Sequence, residues 1–564
     1  VEAKDIIKKY DAAKKDRSEW DELWSKYLSK FDGRLLYKKD EWQSDVSIPE
    51  LYKGVTRMVA RELKQYWGRK FWELEPVMND DMSKAAAKKK DRLLEIQLMG
   101  HRGRMKKWFR FATWKYLFGP GIVKLFWGDG QPTFDVIDPR LIFPEPGAET
   151  VEEAEYIIHE AIVSKDYVRK MVADGVFTVP PEGDTLDVML AGQGDEPKGF
   201  EKENRDKSQK ANLLEYWQDD RVVVVLNKKW IVRDEPNPFE HGKKPFLFNV
   251  CLDSWNAIWG SGLGWNVYNL YDKLDRHTNM RLDLARLKLN PPVWKGAGAG
   301  VFTEGVVKVS PGKVFPVTRI NELMPFNMDG ALEANNVAVE ILRNEGKDTT
   351  AITDYVQGAS TPSMADTAGA TATMSQAADE RVQLYLMQND DFAVRFIEMW
   401  LSLNEQFLHE ETTDPLTGEP NGYEPIPLKV KSRDGISVEE LTKDDVTAQT
   451  DIIIKTPNMQ PNKLAAQQNA IQLFGILKGD PSIDHKEQLK ALLDAFELDV
   501  DAFMLDDKEK VKNAIEQMAL QQAIQQAIAP PAPTGMEQAP GNMVQADMMN
   551  NQAATSNQEA PNGM

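Results

Sequence analysis

The chain has 564 residues, a formal net charge of −19, 42% hydrophobic residues and one cysteine. That length exceeds what one hydrophobic core organises, so about two to four structural units are expected. The acidic balance argues against a protein that grips nucleic acid by its phosphates, because such affinity comes from Lys and Arg displacing counterions. No run approaches the roughly 20 apolar residues needed to span a bilayer, and Val1–Asp5 lack the apolar stretch of a signal peptide. The single thiol, Cys251, excludes an internal disulfide, which suits assembly in a reducing cytoplasm. It follows Val250 after an apolar run and reads as a small buried hydrophobe rather than a nucleophile. Acidity also fits a wall past which a duplex slides, since repulsion at physiological salt reaches only about 8 Å. It equally fits a need for solubility, and charge alone does not separate the two.

In chain order, residues 4–31 read as an amphipathic helix, with Trp20, Leu23, Trp24, Tyr27, Leu28 and Phe31 at three- and four-residue steps. A second helix is expected over Ile48–Tyr66, with Pro49 in its first turn, and a third from Ser83 to about Phe118. Gly119-Pro120-Gly121 then breaks the helix, and Ile122–Trp127 and Thr133–Ile137 read as strands. Residues 180–212, rich in Gly, Pro, Asp and Lys, read as a surface insertion. Leu213–Trp217, Arg221–Leu226 and Trp230–Arg233 read as an antiparallel meander turning at Asn227-Lys228-Lys229.

Gly260, Gly262 and Gly264 are expected to loosen the approach to a long helix whose apolar stripe includes Val267, Tyr271, Leu274, Leu282, Ala285 and Leu289. Counted from Ala257, that helix would be about 50 Å long. Asp272 and Arg276 form an i,i+4 pair in the favoured order. Pro291 ends the helix at Asn290. A glycine-rich excursion with strand-like Gly305–Val309 and Val314–Val317 follows, then a return helix capped at Asp329 and running through Leu332, Val339 and Leu342. After the small residues of 358–373 comes a long helix through Val382, Leu386, Phe396, Trp400 and Phe407. Residues 412–457 return to loop and strand, and Pro461-Asn462 opens a helical C-terminal unit. Beyond Pro530 the chain has no Lys or Arg and is expected to be disordered unless neighbours order it.

A search for chemistry leaves little. The P-loop pattern is absent, since Val314 follows Gly312-Lys313, and Gly260, Gly262 and Gly264 miss the dinucleotide fingerprint because position 265 is Trp. The six histidines are scattered, and His409-Glu410-Glu411 has no second His or Cys near it, so no metal is expected. Asp390-Asp391, Asp444-Asp445 and Asp506-Asp507 read as solvated or capping acids rather than nuclease ligands. The one cationic run, Lys88, Lys89, Lys90, Arg102, Arg104, Lys106 and Lys107 with Trp108 and Phe109 embedded, invites a DNA-contact reading. The reading preferred here is a helical face paired with acidic neighbours, in the chain or across a subunit interface.

Several segments, taken in order, resemble the portal proteins of tailed double-stranded DNA bacteriophages, particularly short-tailed ones. They are the Trp-rich N-terminal helices, Gly119–Lys124 before a strand, the Asp138-Pro139 to Pro146 turn, and Asn237-Pro238-Phe239 with His241–Phe246. The glycine-rich approach to the long helix, Asn290-Pro291-Pro292 and Ala368–Thr373 complete the series. The resemblance implies an α+β, mainly helical fold: a wing (1–255 and 374–457), stem helices (256–290 and 329–355), a clip (291–328), a tunnel loop (356–373), a crown (458–529) and a tail (530–564). It implies a closed ring, usually of twelve subunits, at one capsid vertex of the virion, with no membrane, cofactor or enzymatic activity. The partners it implies are terminase large subunit, tail adaptors, major capsid and scaffolding proteins, and double-stranded DNA in the channel. Thr361, Ser363, Asp366 and Thr367 become candidates to approach the DNA, and Trp294, Lys295, Val301 and Phe302 candidates for terminase or adaptor contact. Trp294 and Phe302 would serve equally well packed between neighbouring clips. A nuclease with an acidic metal site is the alternative class. A short head-to-tail adaptor is disfavoured by the length of the chain.

Overall fold

A computed structural model describes residues 2–35, 39–179, 185–190, 210–253, 258–289, 293–296, 314–317, 329–350, 385–409, 411–413, 420–432, 435–455 and 463–477, with a few positions between 488 and 496. The chain divides into two compact units, Val1–Pro461 and Asn462–Met564. The main described element of the second is the helix Lys463–Leu477. Helix and strand are mixed throughout the first, as an α+β fold requires.

The stretch expected as one helix over 4–31 is two, α1 (Ala3–Asp16) and α2 (Ser18–Phe31), joined at Arg17. Arg17 is buried, and its guanidinium donates to the carbonyls of Pro139 (3.1 Å), Arg140 (2.8 Å) and Ile142 (2.5 Å). Those acceptors lie more than a hundred residues away, so apolar periodicity does not register the break. The third expected helix is also two, α4 (Asp81–Gly100) and α5 (Arg104–Phe118), broken at Gly103 in the left-handed region. Between α2 and α4 in sequence lie α3 (Glu50–Glu62), extended by a π-turn over Leu63–Trp67, and β1 (Trp72–Pro76). Pro49 stands at the N-cap of α3 rather than inside its first turn.

β2 (Pro120–Gly128), β3 (Gln131–Ile137) and β9 (Phe246–Val250) form an antiparallel sheet ordered β3-β2-β9. A second sheet runs in sequence order through β4 (Ile142–Pro144), β5 (Ile157–Ser164), β6 (Lys210–Trp217), β7 (Arg221–Leu226) and β8 (Trp230–Pro236). The expected meander is its last three strands, and the turn holds Asn227 and Lys228 at positive φ. β7 is continuously apolar because both its faces are covered. Val222, Val224 and Leu226 face the main core, while Val223 and Val225 face Ile6 and Tyr10 of α1.

The main core is aromatic. Trp67 stacks on Trp108 at 3.6 Å, and Trp108 on Phe134 at 4.6 Å. The helix that follows, Gln388–Phe407, adds Phe392, Phe396 and Trp400 to the same cluster. Tyr385 and Leu386 are helical just before it, whereas Val382 lies outside the described residues. Within this core Lys115 of α5 and Glu62 of α3 meet at 2.9 Å, neither exposed. Lys115 also donates to Asn389 Oδ1, which accepts from Asn249 of β9 at 2.6 Å, and Trp67 Nε1 donates to Glu62 at 3.1 Å.

The long helix α8 is Leu263–Leu289, 27 residues and about 40 Å. It starts at Leu263 rather than at Ala257, and ends as expected ahead of Pro291. Its glycine-rich approach does not loosen it. A Cβ on Gly264 would lie 2.6 Å from the Leu117 carbonyl and 2.7 Å from the Tyr27 ring, and one on Gly262 2.8 Å from Gly119 N. Glycine is there because the start of α8 crosses the end of α5 at backbone contact. α9 (Asp329–Thr350) packs along α8, with Asn335 Nδ2 donating to the His277 carbonyl at 2.7 Å. Asp329 is the first residue of the helix rather than a cap before it. β10 (Val293–Gly296) and β11 (Val314–Val317) pair in parallel. β10 was not expected, and Gly305–Val309 lies outside the described residues. The remaining elements include α6 (Lys165–Ala173), α7 (Leu186–Leu190), the pair β12 (Glu411–Thr413) and β13 (Pro420–Tyr423), the hairpin of β14 (Ile426–Ser432) and β15 (Gly435–Leu441), the short helix Lys443–Thr447, and β16 (Thr450–Ile454), which pairs with β1.

Burial alone would push the Glu62 carboxyl up, but Lys115, Tyr116 and Trp67 outweigh it and hold it below the usual carboxylate range. A depressed carboxylate contributes stability that is complete above its unfolded value of about 4.5 and is lost as pH falls through the folded value. Lys115→Met should cost about 3–5 kcal/mol at pH 7 by leaving Glu62 charged and alone. Adding Glu62→Leu should recover most of that loss, and the double variant should show a shallower decline below pH 4.5 than the wild type, since other depressed carboxylates such as Asp445 remain. Urea unfolding across pH measures all three.

Candidate functional site

The excursion α8–β10–β11–α9 is anchored from the N-terminal side. Asp275 of α8 is almost wholly buried and forms an ion pair with buried Lys30 of α2. It also accepts from Ser47 Oγ (2.9 Å) and from the Ile48 amide (2.9 Å). The extended segment leading to α3 then runs along the helix. Asn279 accepts from the Val46 amide and donates to the Val46 carbonyl, both at 2.8 Å. Asp283 accepts from the Ser44 amide at 2.6 Å, and Arg286 donates to the Trp42 carbonyl at 2.7 Å. Residues 275, 279, 283 and 286 step at helical spacing, so one polar stripe of α8 holds a strap of backbone. Sequence reasoning passed over this stripe. Its signal was two acids, an amide and an arginine at i, i+4, i+8 and i+11 in a helix judged only by its apolar face.

The outward faces of the two helices carry opposite charge. Lys273, Arg276 and Lys288 are exposed on α8, and Glu333, Glu340, Glu345 and Asp348 on α9. Arg276 meets Asp272 at 2.9 Å, as expected from the sequence. Large apolar side chains lie among these charges: Met280 on α8, and Val337 (57% exposed) and Ile341 (54%) on α9.

Of the clip candidates, Trp294 and Lys295 fall on β10, opposite Phe315 and Pro316 of β11. Val301 and Phe302, like the tunnel-loop candidates Thr361, Ser363, Asp366 and Thr367, lie outside the described residues. The basic run does not make one cationic face. Lys89 pairs with Asp445 (2.8 Å), Lys107 with Asp135 (2.9 Å), and buried Lys90 with Glu405 (3.0 Å). Arg104 donates to the Trp67 carbonyl at 3.3 Å, while Lys88, Arg102 and Lys106 are exposed. Trp108 lies in the core, so it offers no platform to a base, and Phe109 is half-exposed.

The acidic pairs have structural partners. Asp390 accepts from Tyr66 Oη at 2.7 Å, Asp391 pairs with Arg395 at 2.9 Å, and Asp445 closes a capping box with Thr442. Asp506-Asp507 lies outside the described residues. His409 is buried against the Leu441 carbonyl at 3.1 Å. Cys251 is buried, and burial pushes its thiol up to about 12. Among the described residues no group of three or more His, Cys, Asp or Glu is placed to hold a metal, and no helix is long and apolar enough to cross a membrane.

A family model described as the phage SU10 portal protein matches residues 123–438, more than half of the chain. The chain belongs to the SU10 portal protein family. No curated protein matches it. The matched segment runs from β2 through the whole α8–α9 excursion and the helix Gln388–Phe407 to the strand Gly435–Leu441. In this phage portal protein the polar stripe of α8 and the strap of residues 42–48 therefore tie an N-terminal segment, outside the matched region, to the excursion inside it.

Asn279→Leu removes both strap bonds to Val46. Amide hydrogen exchange at Val46 should accelerate by about tenfold or more, the equivalent of roughly 1.4 kcal/mol. Amides of β6 and β7 should be unchanged, and equal protection of Val46 in both proteins would refute a strap held by side chains.

Proposed function

We propose that copies of this chain close into a ring, a dodecamer, at one capsid vertex of a short-tailed phage, and that double-stranded DNA passes through the ring during packaging and ejection. The observation that carries the reading is the α8–α9 pair inside the family-matched segment, with cations on one outward face, carboxylates on the other and apolar side chains among both. A surface complementary to a different surface of the same molecule makes a heterologous contact, and such contacts generate rings when the rotation closes. Opposed charge sets the register of the two faces, and covering Met280, Val337 and Ile341 supplies the apolar part.

In this reading the chain is a passive channel, without catalysis or cofactor. Residues 1–255 and 374–457 form the wing, and 256–290 with 329–355 the stem. Residues 291–328 form the clip, 356–373 the tunnel loop, 458–529 the crown and 530–564 the tail. The clip, through Trp294, Lys295, Val301 and Phe302, docks the terminase large subunit and later the tail adaptors. The wing meets major capsid and scaffolding proteins. Thr361, Ser363, Asp366 and Thr367 carry no positive charge, so phosphates passing them are not held.

Glu340→Lys combined with Ile341→Asp places like charge and a carboxylate on the α9 face. Native mass spectrometry should then show monomers and small assemblies while the urea midpoint stays near wild type. Complete rings at wild-type yield would overturn the assembly reading. Asp366→Lys with Thr367→Lys should leave rings intact and slow DNA packaging in a reconstituted motor assay. Unchanged packaging kinetics would remove the tunnel loop from the reading.

A further inference from the structure

The pair β1–β16 has two outer edges, and they differ. The Lys455 amide donates to the Phe71 carbonyl at 2.7 Å and the Val77 amide to the Gln449 carbonyl at 3.4 Å. With the register Trp72↔Ile454 to Pro76↔Thr450, these bonds fix the alternation of the antiparallel ladder. Glu73, Glu75, Asp451 and Ile453 turn their backbone groups toward the opposite strand. Trp72, Leu74 and Pro76 turn theirs outward on β1, and Thr450, Ile452 and Ile454 outward on β16. The β1 edge is blunted by Pro76, which has no N–H, and by α4 packed against the strand. The β16 edge has no proline. Among the described residues, no hydrogen bond reaches the backbone N–H or C=O of Thr450, Ile452 or Ile454.

An open trough of about 830 Å³ borders that edge, with the helix Gln388–Phe407 as its far wall. Thr450 and Ile452 line one side, and Val394, Glu398, Leu401 and Glu405 the other. Its charge is acidic. Lys90 is the cation in the lining, and its ammonium is already held by Glu405 and the Ala448 carbonyl, each at 3.0 Å. Glu398 and Asp451 are exposed and have no ion-pair partner among the described residues.

We propose that the outer edge of β16 takes an extended, basic segment of a partner protein as a third strand. The edge supplies main-chain donors and acceptors over the five residues Thr450–Ile454, about 17 Å of strand. Alternate side chains of the incoming segment face Val394 and Leu401, while cations between them meet Glu398 and Asp451. A helix cannot pair with the edge, and an acidic strand is repelled by both walls. The proposal requires only the folded chain and stands whether or not subunits close into a ring.

Fluorescein-labelled heptapeptides titrated against the full-length chain by anisotropy test it. An alternating Val–Lys probe should bind. The same probe with a central proline, and an alternating Val–Glu probe, should each bind about tenfold more weakly or worse. Glu398→Lys with Asp451→Lys should weaken the Val–Lys probe about tenfold without moving the urea midpoint. Thr450→Pro, which deletes an outward N–H at the start of the strand, should also weaken it. Equal binding of the proline-interrupted probe, or unchanged binding to the charge-reversed variant, overturns the proposal. So does a chain that binds no probe and self-associates through this edge, seen as concentration-dependent sedimentation lost in Thr450→Pro.

Discussion

Glu62 and Lys115 face each other at 2.9 Å with no exposure to water, and four elements converge on them. Glu62 comes from α3 and Lys115 from α5, while Asn389 and Asn249 bring in the helix Gln388–Phe407 and β9. Two charges out of water are costly, and the pair persists only because each has further polar neighbours. The gain is directional. An aromatic core of Trp67, Trp108, Phe111, Phe392 and Phe396 could slide by a ring's width at small cost, whereas an ion pair with fixed acceptors has one register. Sequence positions from 62 to 389 are locked together in this way before the α8–α9 excursion is considered.

From that core, rigidity passes to α8 by two routes of different character. One is steric: the backbone of Gly262 and Gly264 lies directly on the end of α5, so the start of the helix has no side-chain layer through which to shift. The other is polar: Lys30 grips Asp275, and the strap follows Asn279, Asp283 and Arg286 along the next turns. Between them they hold α8 from its first turn through Arg286. α9 covers only part of the circumference of α8, so these contacts supply the rest of its hold on the core.

The sequence made local punctuation readable and left long-range pairing hidden. Pro291 stopped α8 where expected, Asn227-Lys228 turned the meander, and Asp272 met Arg276, because each depends on residues within four positions. The bend at Arg17 depends on carbonyls at 139–142, and β1 pairs with β16 across most of the chain, so neither leaves a periodic trace. The break between α4 and α5 was marked by Gly103, but apolar residues on both sides masked it. Asp129-Gly130, with both residues at positive φ, closes the β2–β3 hairpin and was a signal available to inspection. The basic run illustrates the limit of composition. Seven cations close together in sequence fold so that Lys89, Lys90 and Lys107 each meet a carboxylate and only part of the set faces water. The ring, the clip and the tunnel loop entered the reading through resemblance, since nothing in spacing or charge fixes them.

Those internal ion pairs have a consequence for the outer surface. A chain of net charge −19 that uses Lys89, Lys90, Arg92 and Lys107 to neutralise its own carboxylates leaves its excess acid facing outward. Two such surfaces repel unless one supplies cations of its own, and α8 does so beside an acidic α9. The proposed self-assembly can therefore use the α8–α9 pair, where both signs of charge lie within one subunit. A surface that is acidic on both walls, such as the trough beside β16, is poorly matched to a second copy and better matched to a basic partner. In the proposed assembly the same charge distribution separates the contacts of a subunit with its neighbours from those with other proteins.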